Sequence, residues 1–135
     1  MAEVAGTVEG VIDFEKQSVF KLAPCRPEDI ASQVSPILIQ GEQIVSSFKT
    51  VRDFVVFTNK RVIAVNVQGM TGRKKDFTSL PYSRVQAFSI ETAGTFDMDA
   101  ELDLWFSGGL GRVRLEFKGH ADVRLLGQMI ATFIL

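Results

Sequence analysis

The sequence predicts a mainly β domain: a seven-stranded antiparallel β-sandwich or open barrel, capped by a C-terminal α-helix and preceded by a short N-terminal helix. Three observations predict it. Apolar and polar residues alternate at period two through much of residues 43–118, the repeat of strands with one face buried. Glycine, proline, asparagine and aspartate cut that stretch into short runs, as turns do. Val123, Leu126, Met129, Ile130 and Phe133 then recur at the spacing of one helical face.

In chain order, residues 1–26 read as an N-terminal arm with mixed periodicity and two glycines in residues 6–24. The domain proper spans 27–135. Its leading helix covers 27–40: Pro27 suits a first helical position, Glu28 and Asp29 suit a positive helix start, and Ile30, Val34, Ile37 and Leu38 share a face. Pro36 predicts a kink or two short turns, and Gly41 the end of the helix. Strands follow at 43–50, 52–58, 60–67, 74–82, 84–92, 101–107 and 111–118. Gly69 and Gly72 bracket Met70 and Thr71 as the tip of a hairpin does. The last two strands carry the cleanest alternation. If Leu104 faces Val113, then Asp103 faces Arg114 and Trp105 faces Arg112, so cross-strand pairing accounts for the charges. In the closing helix, Gly127 weakens helix propensity and predicts close approach to the sheet.

The composition is that of an ordinary globular domain: 135 residues, 46% hydrophobic and 23% charged, with a net charge of −1. That balance argues against nucleic acid as the partner. The charge is uneven, at −3 over residues 1–40, +4 over 41–92 and −2 over 93–135. Cys25 is the single cysteine, which excludes an intrachain disulfide and suits an apolar filler better than a nucleophile. No signal-peptide pattern opens the chain and no apolar run is long enough to span a membrane, so the expected location is cytoplasmic.

Residues 57–105 carry a resemblance. "FTNKR" at 57–61, "QGMTGRKK" at 68–75, "LPY" at 80–82 and "ETAGTFDMDAEL" at 91–102 stand in one order and spacing. Together they closely resemble the bacterial pleckstrin-homology-like (PH-like) family, which began as a domain of unknown function. The resemblance runs from about residue 37 to the C-terminus and leaves residues 1–26 outside it. It implies a PH-like sandwich without enzymatic activity or cofactor, and self-assembly into closed rings, commonly five-membered. Larger rings in the family go with an added C-terminal helical hairpin, absent here, so the expectation is a pentamer. The further partner would be another, unidentified protein.

Two sets of residues are candidates for contact. The first lies where strand ends carry mixed polar groups: Arg52, Asp53, Lys60, Arg61, Glu91, Asp97 and Asp99 form the expected protein-interaction surface. The acidic row of Asp97, Asp99, Glu101 and Asp103, which shares Asp97 and Asp99 with this set, can meet Lys60, Arg61 or Arg73 of another protomer. The second set serves the alternative, a peripheral membrane or inositol-phosphate module: Lys49, Arg52, Arg73, Lys74 and Lys75. Eukaryotic PH domains hold such headgroups near the corresponding loops. Successive strand residues face opposite ways, however, so Arg73–Lys75 cannot all converge, and "GMTGRKK" lacks the P-loop frame. No catalytic or metal site is expected. The acidic row lacks the glycine of a calcium loop, His120 is the only histidine, and there is no Gly-x-Ser-x-Gly.

Overall fold

The computed structural model describes residues 12–13, 18–19, 21–94, 99–119 and 121–135. Among the described residues ten strands form two five-stranded sheets. Sheet I runs β3 (Ala23–Cys25), β4 (Ile44–Lys49), β5 (Phe54–Thr58), β6 (Arg61–Gln68) and β7 (Lys74–Pro81). Sheet II runs β1 (Ile12–Asp13), β2 (Ser18–Val19), β10 (Arg112–Phe117), β9 (Ala100–Phe106) and β8 (Val85–Glu91). Helix α1 (Pro27–Val34) precedes β4, and helix α2 (Val123–Ile134) follows β10.

The seven expected strands are β4 to β10. These seven pair antiparallel within their two sheets; three short strands before Pro27, which were not expected, add to them, and one of these runs parallel. β3 pairs antiparallel with β4 at the edge of sheet I, where Pro24 can do without its N–H. β2 runs parallel to β10, and Leu22 bridges to Phe117 in the same sense. The Leu22 N–H donates to the Glu116 carbonyl at 2.7 Å, and its carbonyl accepts from Lys118 N–H at 2.9 Å. This clamp places the Leu22 side chain fully inside the core.

The burial pattern explains each strand's composition. β5, "FVVFT", is buried at all five positions because both of its faces are covered. Val55 and Phe57 face the space between the sheets; Phe54 and Val56 face α1 through Ile30 and Val34. That is why its apolar run is continuous rather than alternating. Phe48, Phe57 and Phe117 fill the sandwich, with ring centroids 4.8–6.3 Å apart. β10 alternates buried and half-buried, and its register with β9 is the expected one: Val113 opposite Leu104, Arg114 opposite Asp103, Arg112 opposite Trp105. The leading helix stops at Val34 and continues as a 3-10 turn, Ser35–Ile37, as Pro36 requires.

α2 lies over β8. A Cβ on Gly127 would sit 2.1 Å from Ile90 Cδ1, so the glycine permits the contact. We expect Gly127→Ala to lose stability in the native background, because Ile90 must leave its rotamer. In an Ile90→Ala background the same change should gain roughly 1 kcal/mol of helix propensity. Chemical denaturation of the four proteins measures that coupling; simple additivity would contradict the close approach.

Candidate functional site

The segments "FTNKR" and "LPY" meet in space. Thr58, Asn59, Lys60 and Arg61 form the turn between β5 and β6; beside it Pro81 ends β7 and Tyr82 opens the short 3-10 turn Tyr82–Arg84. The centre of the arrangement is Glu42, just beyond the αL glycine Gly41 (φ +83°), with its carboxylate withdrawn from solvent. Arg61 grips it with a fork: Nε to Oε2 at 2.8 Å and Nη2 to Oε1 at 2.9 Å. Thr58 Oγ1 donates to Oε2 at 2.6 Å, and the Ile39 N–H donates to Oε1 at 3.1 Å. Two further Arg61 hydrogens reach the Ile37 carbonyl at 2.7 Å and Ser79 Oγ at 2.8 Å. Thr58 Oγ1 in turn accepts from the N–H groups of Lys60 and Arg61, both at 3.0 Å.

Tyr82 completes the network from below. Its ring is buried and its hydroxyl donates to the Thr58 carbonyl at 2.7 Å. Asn59 ties the turn to the end of the leading segment, donating to Gly41 O at 3.0 Å and accepting from Gln43 N–H at 2.8 Å. Every polar atom is matched, so the network fixes the path from α1 into β4. Burial pushes the Glu42 carboxyl up, but the donors from Arg61, Thr58 and Ile39 outweigh it and hold the group at about 2. Burial, with the Glu42 charge nearby, pushes the Tyr82 phenol above its ordinary range, so it remains a donor.

A cleft of about 400 Å³ opens over this network. Ile39, Pro81 and Phe133 are its apolar walls; Lys60 and Ser83 stand among its lining residues. The Phe133 ring stacks on Tyr82 with centroids 5.7 Å apart.

The expected interaction residues do not gather into one patch. Lys60 and Arg61 lie at the far end of β5 from Arg52 and Asp53. Lys60 is exposed, whereas Arg61 is committed to Glu42. Arg52 donates to the Gly69 carbonyl, and Asp53 is buried, with Oδ1 accepting from Val67 N–H at 2.7 Å. Both residues therefore lock the β4–β5 turn against the β6–β7 hairpin. Asp99 is ion-paired with Lys21, Glu91 is exposed at the end of β8, and Asp97 lies outside the described residues, as does His120.

The basic set is brought to one end of sheet I. Lys49, Arg73 and Lys74 are exposed there, while Lys75 Nζ donates to the Gly72 carbonyl at 3.1 Å. Gly69 and Gly72 both have positive φ, as the hairpin tip demands. At the tips, Val51 and Met70 are fully exposed, at 101% and 103% of their reference areas.

The outer face of sheet II is acidic. Glu91, Glu101 and Glu116 stand opposite one another on β8, β9 and β10. Arg114 answers them from the next row, bonding Asp103 at 2.9 and 3.1 Å and reaching Glu101 at 3.6 Å. The hydrogen bonds that Arg114 donates to Asp103 hold its guanidinium even more firmly charged than usual, against the effect of burial. Burial raises the Glu101 carboxyl; Arg114 opposes this, and the neighbouring carboxylates reinforce it. Among the described residues no cluster of His, Cys, Asp or Glu is arranged to hold a metal ion, and no helix is long and apolar enough to cross a membrane.

Glu42 and the cleft wall Ile39 were not singled out in the sequence; Phe133 was read only as part of the closing helix's apolar face, and Thr58 only within "FTNKR". The available signal was spatial: two motif segments, "FTNKR" and "LPY", converge on one buried acid.

Two twisted sheets packed face to face, with a C-terminal helix over one end, define a PH-type β-sandwich. The chain belongs to the bacterial PH domain family, whose model matches residues 13–134 and so reaches back into the N-terminal strands. It is 43% identical over 103 residues to the Bacillus subtilis (strain 168) protein YjqA, covering 76% of this chain and 82% of that one. A solved protein from Shewanella loihica PV-4, described as a DUF1696 family protein with a pleckstrin-homology domain, superposes with a TM-score of 0.71 at 42% identity, covering 85% of this chain and 98% of that one. A pleckstrin homology domain from Shewanella amazonensis SB2B gives a TM-score of 0.60 at 43% identity, covering 82% and 90%.

Proposed function

We propose that this protein is a non-enzymatic PH-like scaffold that assembles into a homo-oligomeric ring, five-membered by the resemblance noted above, and mediates contacts with another protein. One observation carries this reading: the edge of sheet II. Among the described residues β8 has a strand neighbour on one side only. It is seven residues long and uncharged until Glu91. The edge of sheet I, β7, is guarded by Lys74, Lys75, Asp76 and Pro81, the usual means of discouraging strand addition. β8 lacks that protection, and a head-to-tail interface whose rotation closes would cover it in every copy. The test is Ala87→Lys with Ser89→Lys, both at exposed positions. The variant should fall to the mass of one chain while keeping its melting temperature within a few degrees. An unchanged oligomer would remove β8 from the interface.

A second reading rests on a different observation, the pair of exposed apolar tips. Val51 and Met70 project from two turns joined by the Arg52–Gly69 bond, with Lys49, Arg73 and Lys74 around them. Apolar tips inside a cationic collar suit an anionic membrane surface. Sedimentation with phosphatidylserine vesicles checks it. Salt-sensitive binding that is lost on neutralising Arg73 and Lys74 supports this reading; no binding at low salt ends it.

A further inference from the structure

We infer that the cleft beside the Glu42–Arg61 network is a docking site for a partner peptide that presents a large apolar side chain next to a carboxylate. The inference rests on the protein-contact reading above and specifies the partner's chemistry. Size is the first argument: about 400 Å³ lies within the range of ligand sites and admits an aromatic or long aliphatic anchor. The walls are the second. Ile39, in the link between the 3-10 turn and β4, is 60% exposed, and Phe133, in α2, is 46% exposed. Phe133 is held in place by stacking on buried Tyr82, and the backbone of Ile39 is fixed by its N–H bond to Glu42. The apolar surface is thus preorganised and open to water, the combination that an anchor side chain exploits.

Charge supplies the third argument and selects the partner. Glu42 and Arg61 cancel each other in the floor. Lys60 is the remaining charge in the lining, is exposed, and its ammonium has no partner among the described residues. The cleft therefore carries one uncompensated cation at its rim, and a carboxylate adjacent to the anchor would meet it. Ser83 is also exposed in the lining, so its hydroxyl is available to a peptide carbonyl or carboxylate.

The experiment is selection from a phage-displayed random peptide library on the native protein, on Lys60→Glu and on Phe133→Ser. The native protein should enrich peptides pairing Phe, Leu, Met or Trp with Asp or Glu. Lys60→Glu should reverse the charge preference to Lys or Arg, and Phe133→Ser should weaken the selected peptides by about tenfold or more. Because Phe133 also touches Tyr82, Ile39→Ser serves as a second wall variant that leaves the stacked pair intact. Failure to enrich any peptide, or a charge preference that survives Lys60→Glu, would overturn the inference. A stable ring that selects no peptide would refute the cleft alone; a monomer that selects the expected peptides would refute the ring alone.

Discussion

Glu42→Gln is expected to destabilise the fold by about 3 kcal/mol. The carboxylate accepts four hydrogen bonds, two from Arg61 and one each from Thr58 and the Ile39 N–H. An amide would turn one acceptor oxygen into a donor facing donors, and Arg61 would keep its charge in a largely enclosed position without a counterion. The pH dependence follows from the depressed carboxyl. Its folded value is about 2 against an ordinary 4.5, so its contribution is fully present above about pH 4.5 and is lost as the pH falls towards 2. Urea unfolding at pH 7 and at pH 3 measures both effects. The native protein should lose stability on acidification, and Glu42→Gln should show a shallower loss. Equal stability of the two proteins at pH 7 would mean that the network does not hold α1 to the sheet.

Leu22→Ala is the second large effect, at about 3 kcal/mol. Leu22 has no exposed surface and packs in the cluster with Phe48, Phe57 and Phe117. Its backbone is clamped on both sides to β10, so the chain cannot easily collapse into the space left behind. Val51→Ala is the matched control: that side chain is fully exposed and its loss should fall within about 0.5 kcal/mol. Thermal denaturation of both variants decides the matter. A Leu22→Ala protein as stable as Val51→Ala would detach the N-terminal strands from the core.

These two residues also mark where sequence reasoning stopped. The register of β9 on β10 was legible because one face is buried and a slip by one residue would turn every side chain over. Gly127 was legible because a helical glycine amid an apolar stripe implies contact. Leu22 was not: β1, β2 and β3 are two or three residues long, too short to display a period, and β3 contains a proline. Glu42 and Arg61 are separated by two strands and the turns that follow them, and singly each resembles a surface charge. The same holds for Arg52 and Asp53. They were read as contact residues from their place in a turn, yet their side chains close that turn onto the next hairpin. Loop-locking and surface recognition draw on the same residue types, and only the partner's position in space separates them.

The basic hairpin shows the same limit from the other side. Its glycines and cations were visible, and the turn formed where expected between Gln68 and Lys74. The exposure of Val51 and Met70 at neighbouring tips was not visible, because it depends on two turns distant in sequence lying side by side.

The central claim is self-assembly, and the native mass in solution tests it most directly. Light scattering across a dilution series should give a mass near five chains of 14.9 kDa, unchanged on dilution, because a closed ring must break two interfaces to release one protomer. A single-chain mass at every concentration would contradict the ring and leave the β8 edge open to another partner.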